Sequence, residues 1–171
     1  MMHLPRSQQD SVVIYPRGGA VGTEVTVGMA RLPPLTSVRI SFGSLIAYEV
    51  ISRTVTDMDG NFTMIVTVPT WAEVDQPHYV LVSYGSQQPR QRSDGFHVTA
   101  ADGTARVVGE IMTEGGGCVT MRNSSEVLYN LVGEMEQWPQ GALVSVTGDI
   151  ASASGCEKQG IAIAVREIRA V

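Results

Sequence analysis

The stretch TVTDMDGNFTMIVTVP, which is Thr54–Pro69, decides the fold of the first half of this chain. Its second part, Phe62–Val68, has a large apolar residue at every second position (Phe62, Met64, Val66 and Val68). This period of two is typical of a β-strand with one buried face. Pro69 ends this predicted strand, because proline has no N–H to donate to a neighbouring strand. The stretch therefore predicts a strand that buries its even-numbered side chains.

A turn precedes this strand. Asp59 and Gly60 separate it from an earlier apolar run, Ile51–Val55. Glycine can adopt the positive φ of a tight turn, and aspartate can bond to the turn backbone, so we predict that the two runs pair as a hairpin. Asp57, Asp59 and Asn61 also suggest a calcium loop. Such a loop needs glycine at its sixth position and a later bidentate carboxylate, and Gly60 is only fourth, so the pattern favours the turn.

Short apolar runs recur on both sides of this hairpin at the spacing of a sandwich of two antiparallel sheets. Gly18 and Gly19 are predicted to lie in a turn between the first two runs. The seven predicted strands are Val12–Tyr15, Glu24–Val27, Val38–Phe42, Leu45–Val55, Phe62–Val68, Tyr79–Tyr84 and Phe96–Val98.

A second domain is predicted after a small-residue linker. We place a flexible leader at residues 1–11, the sandwich at 12–100, the linker at 101–104 and a five-stranded barrel at 105–171. The barrel strands are predicted at Ala105–Met112, Cys118–Arg122, Val127–Val132, Leu143–Ile150 and Gly160–Ile168.

Two features of the second domain favour a small barrel. The pattern Val-x-Gly-acid-Ile occurs twice, with its glycine at Gly109 and at Gly148. Glycine inside a strand marks a sharp bend or a close approach, and a small coiled barrel needs both. The segment Gly133–Gly141 is long enough for one turn of helix at a barrel end. Five strands with such a connection after the third indicate an OB-like barrel.

The residues of the first domain resemble IPT/TIG-type immunoglobulin-like domains. The resemblance lies in Ile14-Tyr15-Pro16, Gly22–Gly28, Val38–Gly43, Thr56–Pro69 and Tyr79–Val82. It implies an Ig-like spacer, adhesion or interaction module and carries over no catalytic residue. The second domain is similar to small OB-like C-terminal domains of uncharacterised bacterial exported proteins. The fold expected is therefore all-β, an Ig-like sandwich followed by an OB-like barrel.

Composition and charge exclude several classes of function. Of 171 residues, 43% are apolar and 6% aromatic, which fits folded domains with aliphatic cores. Seven arginines and eight acidic residues precede Ala101, and five basic and nine acidic residues follow, so no basic face for nucleic acid is expected. No apolar run approaches the roughly 20 residues that span a bilayer. The N-terminal MMHLPRSQQD lacks the apolar region of a signal peptide, so the protein is either cytosolic or exported with its signal removed.

The two cysteines, Cys118 and Cys156, lie 38 residues apart in the second domain. A disulfide between them would stabilise the barrel by about 4 kcal/mol on the chain-entropy model. Two free thiols or half of a metal site are the alternatives, but the only histidines, His3, His78 and His97, fall in the other domain, so no metal is expected. A disulfide would imply a periplasmic or extracellular protein.

An interaction surface is predicted on the strand Tyr79–Tyr84. If Tyr79 and Leu81 face the core, then Val80, Val82 and Tyr84 point outward, where the second domain or a partner would cover them. Trp71 and Trp138 are further contact candidates, although core packing also explains them. A protein partner or self-assembly is therefore expected.

No catalytic constellation and no cofactor site are recognisable, so the leading hypothesis is a non-enzymatic structural or interaction module. The alternative is a barrel that binds a small molecule or a glycan. OB-type barrels often bind ligands along one face, where Arg122, Tyr129 and Trp138 would supply charge and stacking.

Overall fold

The computed structural model describes residues 11–44, 46–86, 91–112, 119–152 and 160–171. All regular structure in these residues is β-strand, as predicted. The sheets of the first part have a sandwich-like arrangement, and the second part contains a closed five-stranded barrel. The strands are β1 Val13–Tyr15, β2 Gly18–Gly19, β3 Glu24–Met29, β4 Ser37–Gly43, β5 Tyr48–Val55, β6 Phe62–Thr67, β7 Pro77–Tyr84, β8 Gln91–Arg92, β9 Phe96–Val98, β10 Thr104–Met112, β11 Val119–Asn123, β12 Leu128–Val132, β13 Leu143–Ile150 and β14 Ile161–Ala170.

The chain divides into two compact units whose segments alternate along the sequence. Residues 101–104, the predicted linker, form a closed turn inside the second unit: the Ala100 N–H donates to Thr104 O (3.0 Å) and the Gly103 N–H to Ala100 O (2.9 Å). Earlier segments join that unit because β2 pairs with β9 and the Asp75 N–H donates to Val98 O. Unit 1 comprises Met1–Pro16, Gly22–Ala72 and His78–Asp94, and unit 2 comprises Arg17–Val21, Glu73–Pro77 and Gly95–Val171.

Unit 1 is built from two groups of antiparallel strands. In the first, β3 pairs with both β1 and β6. In the second, β4 pairs with β5 and β7, and β8 pairs with β7. Val25 and Val27 of β3 are buried and alternate with more exposed neighbours, whereas β4 is buried continuously from Ile40 to Gly43. On β6 the even-numbered face is the buried one, as the period of two predicts.

The connection from β5 to β6 is an arch between two sheets, and the predicted hairpin pairing is wrong. β5 pairs with β4, whereas β6 pairs with β3. The turn does form as expected, because Asp57 Oδ1 accepts the N–H groups of Asp59 and Asn61, both at 2.9 Å. The turn backbone also bonds to a distant loop, because the Leu32 N–H donates to Gly60 O. The turn interpretation of the calcium-like pattern agrees with these bonds.

Strand β7 is buried on both faces, so Val80 and Val82 do not form an exposed surface. The register pairs Val80 with Phe42 and Val82 with Ile40, so these valines share the buried face of β4. Val80 and Val82 are both 0% exposed, and Tyr84 is half-buried. The opposite face is covered as well, because the Arg92 guanidinium lies 5.1 Å from the centre of the Tyr79 ring. A strand buried on both faces has no polar alternation by which its core side could be recognised.

Gly18 and Gly19 form strand β2 instead of the predicted turn. They pair with His97 and Val98 of β9 in parallel register. A Cβ atom at Gly18 would lie 2.7 Å from Cγ1 of Ile150 and 2.9 Å from the carbonyl oxygen of His97. Close packing inside unit 2 therefore requires a residue without a side chain at this position.

The barrel of unit 2 closes in the order β10-β11-β12-β14-β13, and β12 and β14 pair in parallel. Both motif glycines lie where strands approach closely, as predicted. A Cβ at Gly109 would clash with the carbonyl oxygen of Arg122, and one at Gly148 with that of Ala164. The register of β13 on β14 shifts between Thr147 and Gly148, so this glycine also marks a bulge.

The segment between β12 and β13 contains no helical turn, contrary to the prediction for Gly133–Gly141. Met135 and Trp138 nevertheless pack against the barrel core from this segment. The Gly141 N–H donates to Ile111 O at 2.8 Å, which ties the end of the segment to β10. Side-chain packing and a backbone bond thus replace the helix as the means of covering the core.

Candidate functional site

A cleft of about 260 Å³ opens on unit 2. Its walls come from the segment Glu73–Pro77, from β9, from β10 and from the loop between β11 and β12. The described residues of its lining include one acidic and one basic residue among neutral ones. The lining residues are Asp75, Gln76, Pro77, His97, Arg106, Val107, Val108, Asn123, Ser124, Ser125 and Tyr129.

Hydrogen bonds connect three polar side chains of the cleft in series: Asp75, His97 and Tyr129. His97 Nε2 lies 2.8 Å from Asp75 Oδ1, and His97 Nδ1 lies 2.8 Å from the hydroxyl oxygen of Tyr129. A carboxylate can only accept, so Nε2 carries a proton and donates it to Asp75. In the neutral imidazole Nδ1 is then an acceptor, and the Tyr129 hydroxyl donates to it. The bonds fix one tautomer and one ring orientation.

The backbone holds each member of this series in place. His97 lies on β9, where its N–H donates to Arg17 O at 3.0 Å. Tyr129 lies on β12, and its ring meets the His97 ring edge to face at 5.7 Å between centroids. Asp75 has a left-handed backbone conformation, with φ of 60°, and its N–H donates to Val98 O at 2.7 Å. Such a conformation in a residue other than glycine is uncommon and is found preferentially at functional sites.

Exposure decreases along the series from the carboxylate to the phenol. The side chain of Asp75 is 32% exposed, whereas that of His97 is 2% exposed. Tyr129 is fully buried in the barrel. Of His97 and Asp75, the carboxylate is therefore much the more accessible to a molecule in the cleft. This arrangement suits a carboxylate held in place for binding better than an imidazole that exchanges protons with a substrate.

The two oxygens of Asp75 are used differently. Oδ1 accepts from His97 Nε2 and from the backbone N–H of Arg106, at 2.8 and 3.1 Å. Within the described part of the chain, no donor bonds to the other oxygen, Oδ2. One oxygen thus anchors the carboxylate and the other keeps its capacity to accept a hydrogen bond.

The opposite wall of the cleft is an ordered polar loop. Asn123 Oδ1 accepts the N–H groups of Ser125 and Val127, both at 2.9 Å. The Glu126 N–H donates to Asn123 O at 3.1 Å. These bonds close the β11–β12 turn and place the two neighbouring serines, Ser124 and Ser125, on the cleft. Their hydroxyls add neutral hydrogen-bonding groups to the wall.

The predicted barrel ligand face is not brought together. Tyr129 is buried, so its ring is not available for stacking, although its hydroxyl belongs to the cleft series. Arg122 lies 3.2 Å from Glu126 and 3.8 Å from Glu110, and these ion pairs occupy its guanidinium. Trp138 is half-buried against the barrel core.

The predicted interaction surface is likewise dispersed. Val80 and Val82 are buried, as described above, and cannot meet a partner. Trp71 is 42% exposed and contacts Phe42 edge to face at 6.0 Å, so it keeps an accessible side. Cys118 and Cys156 lie outside the described residues, as do residues 1–10 of the predicted leader. The disulfide therefore stays a prediction.

An exposed sheet face in unit 1 was not anticipated from the sequence. On the β1-β3-β6 sheet, Tyr15 pairs with Thr26, and Thr26 pairs with Ile65. Tyr15 and Ile65 are each 57% exposed, and Val13 beside them is 63% exposed. The eight outward positions are Val13, Tyr15, Glu24, Thr26, Gly28, Thr63, Ile65 and Thr67.

Few features of the sequence indicated the cleft. Asp75 precedes His97 by 22 residues, and Tyr129 follows His97 by 32. None of the three belongs to a local motif. The left-handed backbone at Asp75 could not be foreseen either, because glycine, the usual sign of a positive φ, is absent from this position. The one available sign was a histidine on a strand that otherwise carries apolar residues, Phe96 and Val98.

The part of the chain that the structure describes has neither a metal-binding cluster nor a membrane-spanning helix. No group of three or more His, Cys, Asp or Glu side chains there could hold a metal ion. The same residues include no helix with the length and apolar character that crossing a membrane requires.

The comparisons with known proteins identify no relative. No family model, curated protein or solved structure matches this chain. A functional assignment therefore has to come from the sites themselves.

Proposed function

We propose that this chain is a non-enzymatic interaction module of a bacterial surface or periplasmic protein, with an IPT/TIG-type Ig-like domain before an OB-like barrel. The resemblance in Gly22–Gly28 and Thr56–Pro69 supports the family, and the sandwich-like sheets of unit 1 are compatible with it. The near-complete burial of His97 supports a role without acid–base catalysis.

The observation that carries this proposal is the exposed face of the β1-β3-β6 sheet. Val13 and Tyr15 on β1 and Ile65 on β6 give it three large exposed apolar side chains, on the two strands that flank β3. Threonines and one glycine fill most of the other positions, so most of the remaining side chains on this face are short. Neighbouring exposed apolar residues of this kind mark contact sites, whereas single ones do not.

The occupant we assign to this face is a second copy of the chain. Glu24 is the only charged residue among the eight outward positions, although the chain carries a net charge of −5. A strongly charged partner would find little complementary charge there. Two copies of the face would bring together only one charged residue from each, Glu24, in the self-complementary way of a two-fold dimer.

Sedimentation equilibrium over a range of protein concentrations tests this assignment. We expect a monomer–dimer equilibrium that Tyr15→Glu and Ile65→Lys each shift to monomer, because both place a charge inside the contact. Ile46→Glu is the matched control, since Ile46 is 95% exposed and lies outside this sheet. A wild-type protein that is monomeric at all concentrations would overturn the proposal, as would an equal effect of the control.

A second candidate function is the binding of a small molecule by the barrel unit, and the cleft around Asp75 favours it. A cleft with a few convergent polar groups is the usual form of a ligand site. Thermal unfolding in the presence of a small-molecule and glycan library tests it, because a ligand that binds only the folded state raises the melting temperature. A library without any stabilising compound would count against this function.

A further inference from the structure

We propose that the cleft of unit 2 binds a small free α-amino acid, with the ammonium group at Asp75 and the carboxylate group at Arg106. The proposal rests on the second candidate function, small-molecule binding by this unit, and adds the chemical class of the ligand. It concerns a site separate from the β1-β3-β6 face.

The charges of the cleft favour a zwitterionic ligand. Among the described residues that line the cleft, Asp75 is the only acidic one and Arg106 the only basic one. Arg106 is exposed and makes no ion pair with any other described residue. A ligand with one positive and one negative group would pair with both charges, whereas an ion of one sign would leave one lining charge without a partner.

Asp75 is prepared for the ammonium group. The bonds from His97 and from the Arg106 N–H hold Oδ1, so the carboxylate needs no reorientation when a ligand binds. Its second oxygen, Oδ2, remains able to accept a hydrogen bond from an ammonium. Such charge-assisted bonds are roughly twice as strong as neutral ones. His97 acts here as a positioning residue.

The size and lining of the cleft limit the ligand further. Its volume of about 260 Å³ lies below the roughly 300–1,000 Å³ of pockets for drug-sized ligands. Val107, Val108 and Pro77 supply apolar contacts, and Ser124 and Ser125 supply hydroxyls. A small apolar or hydroxylated side chain, as in alanine, valine, serine or threonine, fits this lining.

Isothermal titration of the full chain with these four amino acids, up to about 10 mM ligand, tests the proposal. Each amino acid is compared with its N-acetyl derivative, which lacks the ammonium, and with its amide, which lacks the carboxylate. We expect at least one free amino acid to bind and both of its derivatives to lose about tenfold or more in affinity. Absence of binding by all four overturns the proposal. Equal binding of the amide overturns the zwitterion and leaves a site for cations only.

Variants locate the site. Asp75→Asn and Arg106→Gln should each weaken binding by about tenfold or more. Asp59→Asn and Arg53→Gln, two exposed changes in unit 1, are the matched controls and should leave affinity unchanged. Circular dichroism reports whether each variant is folded. If Asp75→Asn fails to fold, Arg106→Gln decides the outcome, because Arg106 is exposed. Unchanged affinity in a folded Arg106→Gln protein would refute this site.

Discussion

His97 Nδ1 lies 2.8 Å from the hydroxyl oxygen of Tyr129, and both side chains are buried in unit 2. The bond joins β9 to a barrel strand, β12, and so links the barrel wall to the segment that carries the cleft histidine. Because the other nitrogen of the ring is bonded to Asp75, the phenol sets the orientation of the imidazole and, through it, of the carboxylate. Structural stability and the geometry of the cleft therefore depend on the same hydroxyl.

Tyr129→Phe removes that hydroxyl and leaves His97 Nδ1 without this partner in a buried place. We expect the free energy of unfolding to fall by about 1–3 kcal/mol, the cost of a buried polar group that has lost its hydrogen bond. Urea denaturation followed by circular dichroism measures the change. Tyr15→Phe is the matched control and should have almost no effect, because the hydroxyl of this exposed residue is already available to water. Equal stability of both variants would contradict the role given to the His97–Tyr129 bond.

Gly148→Ala should destabilise the protein by about 1–3 kcal/mol, because the new methyl group meets the carbonyl oxygen of Ala164 and the backbone has to move. The control is Gly28→Ala, also in a strand. There the nearest atoms to a new Cβ are 3.6 Å away, so the control should be neutral or more stable by up to about 1 kcal/mol. Thermal unfolding of the two variants distinguishes them. A Gly148 variant as stable as the wild type would show that the close approach is not required.

Asp57→Ala removes the acceptor of two backbone N–H groups in the arch between β5 and β6. We expect a loss of about 1–2 kcal/mol, similar to the loss of a side chain that caps backbone groups at a helix end. Asp59→Ala changes a carboxylate in the same turn that makes no side-chain hydrogen bond to another described residue, and it should cost much less. Chemical denaturation of both variants gives the comparison. The reverse order of effects would count against the turn geometry.

The pKa of Asp102 is lowered from its ordinary value of 3.8, chiefly by the hydrogen bond that its carboxylate accepts from the Thr104 N–H. A carboxyl whose folded pKa is depressed stabilises the fold above its unfolded pKa, and this contribution disappears as the pH falls through the folded pKa. We therefore expect the melting temperatures of wild type and Asp102→Asn to converge in strong acid. Carbon-detected NMR titration should place the midpoint of Asp102 below 3.8. A midpoint above that value would be the contrary result.

The predicted disulfide between Cys118 and Cys156 is tested chemically. A thiol assay on denatured, unreduced protein should find no free thiol, and reduction should lower the melting temperature of the barrel unit. Unit 1 contains no cysteine and serves as the internal control. Two reactive thiols would exclude the bridge and remove the main support for an exported protein.

Alternation of side chains predicted the strands well and their partners poorly. The period of two in β6 gave its buried face because burial depends on side-chain direction alone. The partner of β5 was missed because a turn with Asp59 and Gly60 suits an arch as well as a hairpin. What decides between them is the bonding of the turn backbone to the loop at Leu32, a contact that no local pattern encodes.

The roles of the motif glycines could be predicted from the sequence, whereas the residues of the cleft could not. Gly109 and Gly148 could be interpreted in advance, because a glycine inside a strand has few physical reasons to be there. Asp75, His97 and Arg106 could not, since an ordinary charged or polar residue has many possible roles. Only the three-dimensional path of the chain brings them to one cleft.

The alternation of the two units along the sequence restricts how this protein can be divided. The chain leaves unit 1 after Pro16, again after Ala72 and finally after Asp94. A fragment that starts at residue 101 would lack Asp75, His97 and strand β2, and so would any transplant made at the predicted linker. Neither unit is therefore one continuous segment, and a single crossover at residues 101–104 would separate Asp75 and His97 from Arg106 and Tyr129.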